Sequence, residues 1–237
     1  MKPVKMNLEL CTDCVEGAIL AGKYGFRRIE LCSALSEGGL TPSFGMIQSC
    51  SEVSSIEVHA MIRSRGGSFS CEDSELDIFQ RDIQAAADAG ARGVVFGILD
   101  SGDQISQKNL ILVKMAESLG LQTTFHRAFD QVQDPMKSLK RIVEMGFDRL
   151  LTSGLKQRAI DGLDLLEAMH QEFGDKIEIM AGSGVDAENA PKLAGSGISN
   201  LHFTARKKSD EDLISGMGVR MVTDESKIRA ISNLFRQ

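Results

Sequence analysis

The sequence predicts an α/β fold of the TIM (β/α)8 barrel type, formed as a single domain by residues 1–237, and three observations support this. Eight short runs of β-forming residues alternate with longer stretches of helical periodicity. The chain of 237 residues approaches the roughly 250 residues typical of this barrel. No linker divides the chain, and 42% of its residues are hydrophobic, which is enough to bury one large core.

The β-rich runs begin near the amino terminus and recur to residue 205. In chain order they are NLELC (7–11), RRIELC (27–32), SIEVHAMI (55–62), GVVFGIL (93–99), LQTTFHR (121–127), DRLLTS (148–153), IEIMAGS (177–183) and NLHFTA (200–205). Helices are expected between them. One is predicted to begin after Asp134, at Pro135, and to end at Gly146. The eighth helix is predicted over ESKIRAISNLF.

A doubly wound open sheet is the alternative arrangement of such elements. That fold usually has a glycine-rich G-x-G-x-x-G turn after its first strand, and the corresponding turn here reads CTDCVEG, which does not fit. The longest irregular segment, residues 206–224, is predicted to be a flexible loop over the mouth of the barrel.

Charge and composition exclude several classes of function. The net charge is −6 and the charges are interspersed, so the sequence lacks the basic stripe of a nucleic-acid binder. No apolar stretch is long enough to span a bilayer, and Glu9 and Asp13 interrupt any signal-peptide core. We therefore expect a cytoplasmic protein with five reduced cysteines and no membrane or nucleic-acid partner, which binds a small molecule or ion.

Alternation along each strand predicts which side chains point into the barrel. The leucine and isoleucine residues of the first two strands are expected to pack against the helices, so the residues between them point inward. Over all strands the inward set includes Glu9, Cys11, Glu30, Cys32, His59, Met61, Arg63, Thr124, His126, His202 and Thr204. Most of these lie in the C-terminal halves of their strands, where barrels of this type build their sites.

Two inward carboxylates indicate a functional pocket. A buried carboxylate is costly unless it is paired or bound to something. Glu9 and Glu30 therefore need a partner, and Arg63, Arg127, a histidine or a ligand are the candidates. We predict a candidate catalytic pocket, with roles unassigned, that consists of Glu9, Glu30, His59, Arg63, His126, Arg127 and Asp130.

The ends of the last two predicted strands suggest a site for phosphate or another anion. Barrels that bind phosphorylated substrates often use the backbone N–H groups of these loops. The same glycines equally fit a tight turn, so both interpretations remain. In the loop after the third strand, Arg63 and Arg65 are expected to face an anion at the same mouth. Residues predicted to bind the anion are Arg65, Gly182, Ser183, Gly184, Ala205 and Arg206.

The cysteines allow two interpretations. Cys11 and Cys14 form a C-x-x-C pair, but no second pair completes a zinc site of four cysteines. Cys11 and Cys32 occupy equivalent positions on adjacent strands, which lie about 4.7–4.9 Å apart, so their thiolates could share a soft ion such as Cu(I). Small inward cysteines also fill a core well.

The chain resembles the CutC family of copper homeostasis proteins over nearly its whole length. The resemblance rests on the ordered motifs RIELCSALSEGGLTPS, HAMIRSRGGSF, VVFGIL, TFHRAFD, RLLTSG, IMAGSGV and LHFTAR. It implies a cytoplasmic, homo-oligomeric TIM barrel that handles copper and binds Cu(I), with Cys11 and Cys32 matching the family's strand-end cysteines. Where the family usually reads R-P-R-G-G-D-F, this chain has Ser64 and Ser68, and the segment after Arg206 is short.

Two functions are compatible with these observations. The first is a copper homeostasis protein of the CutC type, which binds Cu(I) for its storage, delivery or control. The second is an enzyme acting on a small anionic or phosphorylated substrate, whose pocket supplies acid, base or divalent-metal ligands. A purely structural scaffold would leave the inward charges without a purpose. The sequence does not decide whether the protein catalyses a reaction.

Overall fold

The chain folds as a closed barrel of eight parallel strands in a computed structural model that describes residues 6–209 and 219–235. The strands are β1 (Asn7–Thr12), β2 (Arg28–Leu31), β3 (Glu57–Met61), β4 (Gly93–Phe96), β5 (Gln122–Phe125), β6 (Arg149–Thr152), β7 (Glu178–Gly182) and β8 (Asn200–Thr204). Each strand pairs with its neighbours in the chain, and β1 closes the ring against β8. The predicted TIM barrel is confirmed.

Helices surround the barrel. They are α1 (Val15–Lys23), α2 (Phe44–Ser51), α3 (Asp73–Asp88), α4 (Lys108–Ser118), α5 (Pro135–Met145), α6 (Leu163–Phe173), α7 (Ala190–Gly195) and α8 (Glu225–Phe235). Helix α5 begins and ends as predicted, because Asp134 accepts the backbone N–H of Lys137 at 3.1 Å and Gly146 adopts a φ of 89°. Among the described residues, no helix is long and apolar enough to cross a membrane.

The segment 206–224, predicted as a flexible loop, contains regular structure at both ends. Arg206–Lys208 pairs in antiparallel fashion with Met221–Thr223 and forms a short ribbon. The prediction is wrong for these ends because three-residue strands show too little alternation to be recognised in a sequence. The part of the predicted loop from 210 to 218 lies outside the described residues.

Two groups of apolar side chains lie on opposite faces of the barrel wall. The outward residues Leu8, Leu10, Ile29 and Leu31 belong to the main core between strands and helices. A smaller cluster lies inside the barrel and consists of Cys11, Cys32, Met61 and Val95, with Leu35 packed against it. The alternation predicted for the first two strands is therefore confirmed, and it places both cysteines in the interior.

The register between strands determines which inward residues meet. Glu9 lies level with Arg28 of β2 and with His202 of β8, whereas Cys11 lies level with Glu30. Glu9 and Glu30 occupy similar places in their own strands, but the stagger of the barrel puts them at different heights. Each carboxylate therefore meets a different set of neighbours.

Candidate functional site

A large cavity opens at the carboxyl ends of the strands, which is the end where the sequence predicts the site. Its volume is about 1550 Å³. The predicted site residues that line it are Cys11, Glu30, Arg63, His126, Arg127, Asp130, Ser183, Gly184 and Arg206. The predicted site residues that do not line it are Glu9, His59, Arg65, Gly182, Ala205 and Cys32.

Glu9 is held between two basic side chains beneath the cavity floor. The guanidinium of Arg28 donates through Nε to Oε2 of Glu9, and Nδ1 of His202 lies 2.7 Å from Oε1. Glu9 and Arg28 are each only 1% exposed. Both carboxylate oxygens are therefore engaged, which offsets the cost of burying the charge.

These contacts shift the pKa values of Glu9 and His202 in opposite directions. Burial alone would raise the pKa of Glu9, but the charge of Arg28 and the hydrogen bond with His202 outweigh burial and hold it well below its usual range. Burial alone would lower the pKa of His202, but the carboxylate of Glu30 and the contacts with Cys11 and Glu9 raise it well above the usual value. These contacts favour the anionic form of Glu9 and the protonated form of His202.

Glu30 and the two cysteines form a second group at the cavity floor. A carboxylate oxygen of Glu30 and the sulfur atoms of Cys11 and Cys32 all lie within 4.8 Å of one another. Sγ of Cys32 donates to Oε2 of Glu30 at 3.5 Å, and the same oxygen lies 3.7 Å from Nε2 of His202. Oε1 of Glu30 is buried and has no hydrogen-bond partner within residues 6–209 and 219–235. Donor atoms of three chemical types thus lie side by side.

The two thiols of this group differ in their pKa values. The neighbouring Cys32 lowers the pKa of Cys11 to about 5 in spite of burial, and His202 adds to this effect. The neighbouring Cys11, together with burial, raises the pKa of Cys32 well above its usual value. Burial and the neighbouring Cys11 raise the pKa of Glu30. These shifts favour the thiolate form of Cys11 over that of Cys32, and the thiolate is the form that binds metals.

Two histidines of the predicted pocket are buried and neutral. Burial, and then the charge of Arg149, lower the pKa of His59 to about 3, and neither ring nitrogen has a partner in the described part of the chain. Burial and the charge of Arg63 lower the pKa of His126 to about 3. His126 lines the cavity and His59 does not.

Arg63 organises a loop at the mouth. Its Nη1 donates to the carbonyl of Glu37 and its Nη2 to the carbonyl of Gly67, each at 2.8 Å. The sequence suggested Arg63 as a partner for the inward carboxylates. In the structure, the guanidinium of Arg63 instead donates to backbone carbonyls around the cavity.

Arg127 and Asp130 form a second ordered part of the rim. Nε of Arg127 donates to Oδ2 of Asp130 at 2.8 Å. The hydroxyl of Thr152 donates to Oδ1 of Asp130 at 2.5 Å, and the backbone N–H of Ser153 donates to the same oxygen at 3.0 Å. Asp130 thereby fixes the turn after β6, as well as lining the cavity.

The residues predicted to bind an anion are brought together only in part. Ser183, Gly184 and Arg206 line the cavity. Ser183 and Gly184 have successive positive φ values of 87° and 63°, and Arg206 lies 3.1 Å from Asp13. Arg65, expected at the mouth, lies outside the cavity, because Glu75 of α3 accepts its Nε at 2.6 Å and holds it there. Anion binding at this loop stays a prediction.

Sequence reasoning missed the basic residues inside the barrel. Arg28 precedes Glu30 by two positions, so the alternation that turns Glu30 inward also turns Arg28 inward. Arg149 is similarly buried and donates to Oε2 of Glu178 at 2.7 Å. His202 was expected to point inward but was not assigned to the site, where it joins the two carboxylates.

Comparison with known proteins identifies the family. The model of the CutC family matches residues 6–207, which is most of the chain. The chain belongs to the CutC family. The resemblance seen in the sequence motifs is confirmed.

Relatives in the CutC family align over nearly the full chain. A human protein named copper homeostasis protein cutC homolog is 39% identical over 243 residues, covering 97% of this chain and 89% of its own length. A protein of Vibrio cholerae serotype O1 that carries the CutC name is also 39% identical, covering 96% of this chain and 88% of its own length. The crystal structure of a CutC protein from Streptococcus agalactiae matches with a TM-score of 0.79 at 33% identity, covering 84% of this chain and 98% of its own.

Proposed function

We propose that this CutC-family protein takes part in copper homeostasis and binds Cu(I) through the sulfur atoms of Cys11 and Cys32. One observation carries this proposal: the two sulfur atoms lie within 4.8 Å of each other at the cavity floor. Cu(I) is a soft ion for which thiolates are preferred ligands. The names of the human and streptococcal relatives, which refer to copper homeostasis, support the same role.

The surroundings of the two thiols suit this chemistry. Cys11 lines the cavity, so an ion can reach it from the mouth. Both cysteines pack with Met61 and Val95 in the apolar cluster inside the barrel, which would keep water away from a bound ion. All five cysteines of the chain are free thiols. A cytoplasmic location, which we also propose, would keep them reduced, and we expect a homo-oligomer as the family resemblance implies.

The copper proposal predicts that Cys11→Ser combined with Cys32→Ser weakens Cu(I) binding by more than about 100-fold, because the loss of both ligands exceeds the about 10–100-fold typical of a supporting residue. Affinity is measured by competition with a chromophoric Cu(I) chelator under anaerobic, reducing conditions. The matched control is Cys14→Ser, since Cys14 is outside the group formed with Glu30. Unchanged affinity in the double variant would refute the assignment.

A second candidate function is the binding or conversion of a small anionic molecule, for example a phosphorylated one. The observation that favours it is the volume of the cavity, about 1550 Å³, which is far more than an ion needs and is sufficient for a small-molecule ligand. Basic residues that line the cavity are Arg63, Arg127, Lys156, Arg158, Arg206 and Lys227.

This candidate predicts that a phosphorylated ligand raises the unfolding temperature, since a ligand that binds only the folded state stabilises it. The screen uses inorganic phosphate and a set of phosphorylated metabolites, with metals present and absent. Arg206→Gln should weaken binding by about 10-fold or more, because a charge-assisted contact contributes about 1.5–3 kcal/mol. Lys208→Gln is the control on the same ribbon, because Lys208 does not line the cavity. If no compound in the set shifts the transition, the candidate fails.

A further inference from the structure

Cu(I) binding by two thiolates leaves the position of Glu30 unexplained. Carboxylate oxygens suit hard cations better than soft Cu(I), and a carboxylate beside two thiolates adds repulsion. Glu30 is 3% exposed, and its Oε1 lacks a hydrogen-bond partner among the residues that the structure describes. His202 lies 3.7 Å from the other oxygen, Oε2, so the unpartnered Oε1 is the side at which a bound cation would offset the cost of burial.

Three further donor groups surround this carboxylate. Sγ of Cys11 and Sγ of Cys32 lie within 4.8 Å of it and of each other. Sγ of Cys32 is 3.5 Å from Oε2 of Glu30, and Nε2 of His202 is 3.7 Å from the same oxygen. Zinc bonds are about 2.3 Å to sulfur and about 2.0–2.2 Å to nitrogen or oxygen. Two ligand atoms of one zinc ion can therefore be 3.5–3.7 Å apart, as Oε2 of Glu30 is from Sγ of Cys32 and from Nε2 of His202.

Glu9 is the positioning residue of this arrangement rather than a further donor. Its oxygens are already engaged by Arg28 and by Nδ1 of His202. A carboxylate on the far nitrogen of a metal-binding histidine places the proton on that nitrogen and orients the ring. A metal ion would displace the proton from Nε2 of His202, the nitrogen that faces Glu30, and bind there, while Glu9 keeps the proton on Nδ1.

We propose that Cys11, Cys32, Glu30 and His202 form a four-ligand site for Zn²⁺. This inference rests on the proposed function in one respect, because both ions use the same two cysteines. Zinc is of borderline softness and accepts sulfur, nitrogen and oxygen ligands in tetrahedral sites. Two thiolates and one carboxylate around Zn²⁺ leave one net negative charge, whereas the same ligands around Cu(I) would leave two. The structure therefore favours Zn²⁺ whenever Glu30 and His202 participate, and Cu(I) when the cysteines bind alone.

The test compares the two ions on the same full-length variants. Zinc affinity is measured by competition with a chromophoric zinc chelator, and Cu(I) affinity by the corresponding Cu(I) competition. Glu30→Gln and His202→Gln should each lower zinc affinity by more than about 100-fold, and Glu9→Gln by about 10–100-fold, the effect typical of a supporting residue. Cu(I) affinity should change by less than about 3-fold in Glu30→Gln. The matched control is Glu37→Gln, since Glu37 lines the same cavity without belonging to the donor group.

Co²⁺ gives a second measurement that does not depend on competition. Co²⁺ bound by the wild-type protein should show the intense visible bands of tetrahedral coordination with thiolate ligands, and Glu30→Gln should lose them. Circular dichroism confirms that each variant is folded, and Glu30→Gln changes a charge with almost no change in volume. If zinc affinity is the same in Glu30→Gln and His202→Gln as in the wild type, the site is refuted, even where Cu(I) still binds. Zinc binding that needs all four ligands in a protein with no Cu(I) affinity would support this site and contradict the copper proposal.

Discussion

Replacement of Arg28 by methionine is expected to destabilise the protein by about 3–5 kcal/mol, the usual cost of removing one partner from a buried ion pair. Arg28 and Glu9 are each 1% exposed, and their contact lies inside the barrel. Methionine fills similar space but leaves the Glu9 carboxylate without its guanidinium. The free energy of unfolding, from urea denaturation followed by circular dichroism, measures the loss.

Arg27→Met is the matched control for this prediction. Arg27 is the neighbouring residue, its side chain is 43% exposed, and it lies 3.5 Å from Glu57. Such an exposed pair contributes only about 0–1 kcal/mol. Adding Glu9→Leu to Arg28→Met should restore much of the lost stability, because it removes the unpaired charge. Equal losses in the two single variants would contradict a special role for the buried pair.

The interior of the barrel shows how far alternation along a strand can predict a site. The period of two correctly turned Glu9, Cys11, Glu30 and Cys32 inward, because β1 and β2 each bury one face against helices. This alternation does not predict the stagger between neighbouring strands, because the stagger depends on the closure of the whole barrel. The prediction therefore treated Glu9 and Glu30 as equivalent, although only Glu9 meets a guanidinium.

Side-chain reach limited the prediction in a second way. Arg63 and Arg65 stand just after β3 and looked suited to an anion at the mouth. The guanidinium of Arg63 instead binds backbone carbonyls, and that of Arg65 binds Glu75 on the outside of the barrel. A long side chain in a loop can reach hydrogen-bond partners on several elements. The spacing of residues along the chain does not predict which of these partners it binds. Residues on strands, such as Thr124, are easier to place because their backbone is fixed by pairing.

Replacement of Glu30 by glutamine is expected to stabilise the metal-free protein by on the order of 1 kcal/mol near neutral pH, since a pKa raised by one unit corresponds to about 1.4 kcal/mol. Burial and the neighbouring Cys11 raise the pKa of Glu30, so the folded state disfavours the carboxylate more than the unfolded chain does. The carboxyl group of Glu30 contributes fully to the free energy of unfolding when the pH is below its pKa in the unfolded chain. This contribution is lost as the pH rises towards its pKa in the folded protein. Glutamine does not titrate, so the variant should avoid this loss.

The pH dependence separates this effect from a simple change in packing. The stability difference between Glu30→Gln and the wild type should grow as the pH rises above about 4.5, the ordinary pKa of this carboxyl group, because only the wild type then loses stability through it. Glu37→Gln, at an exposed position on the same cavity, is the matched control. A difference that stays constant with pH would show that the amide merely packs better. A difference that grows with pH would mean that Glu30 lowers the stability of the metal-free protein. Such a cost is expected of a residue retained for function, here the binding of a cation.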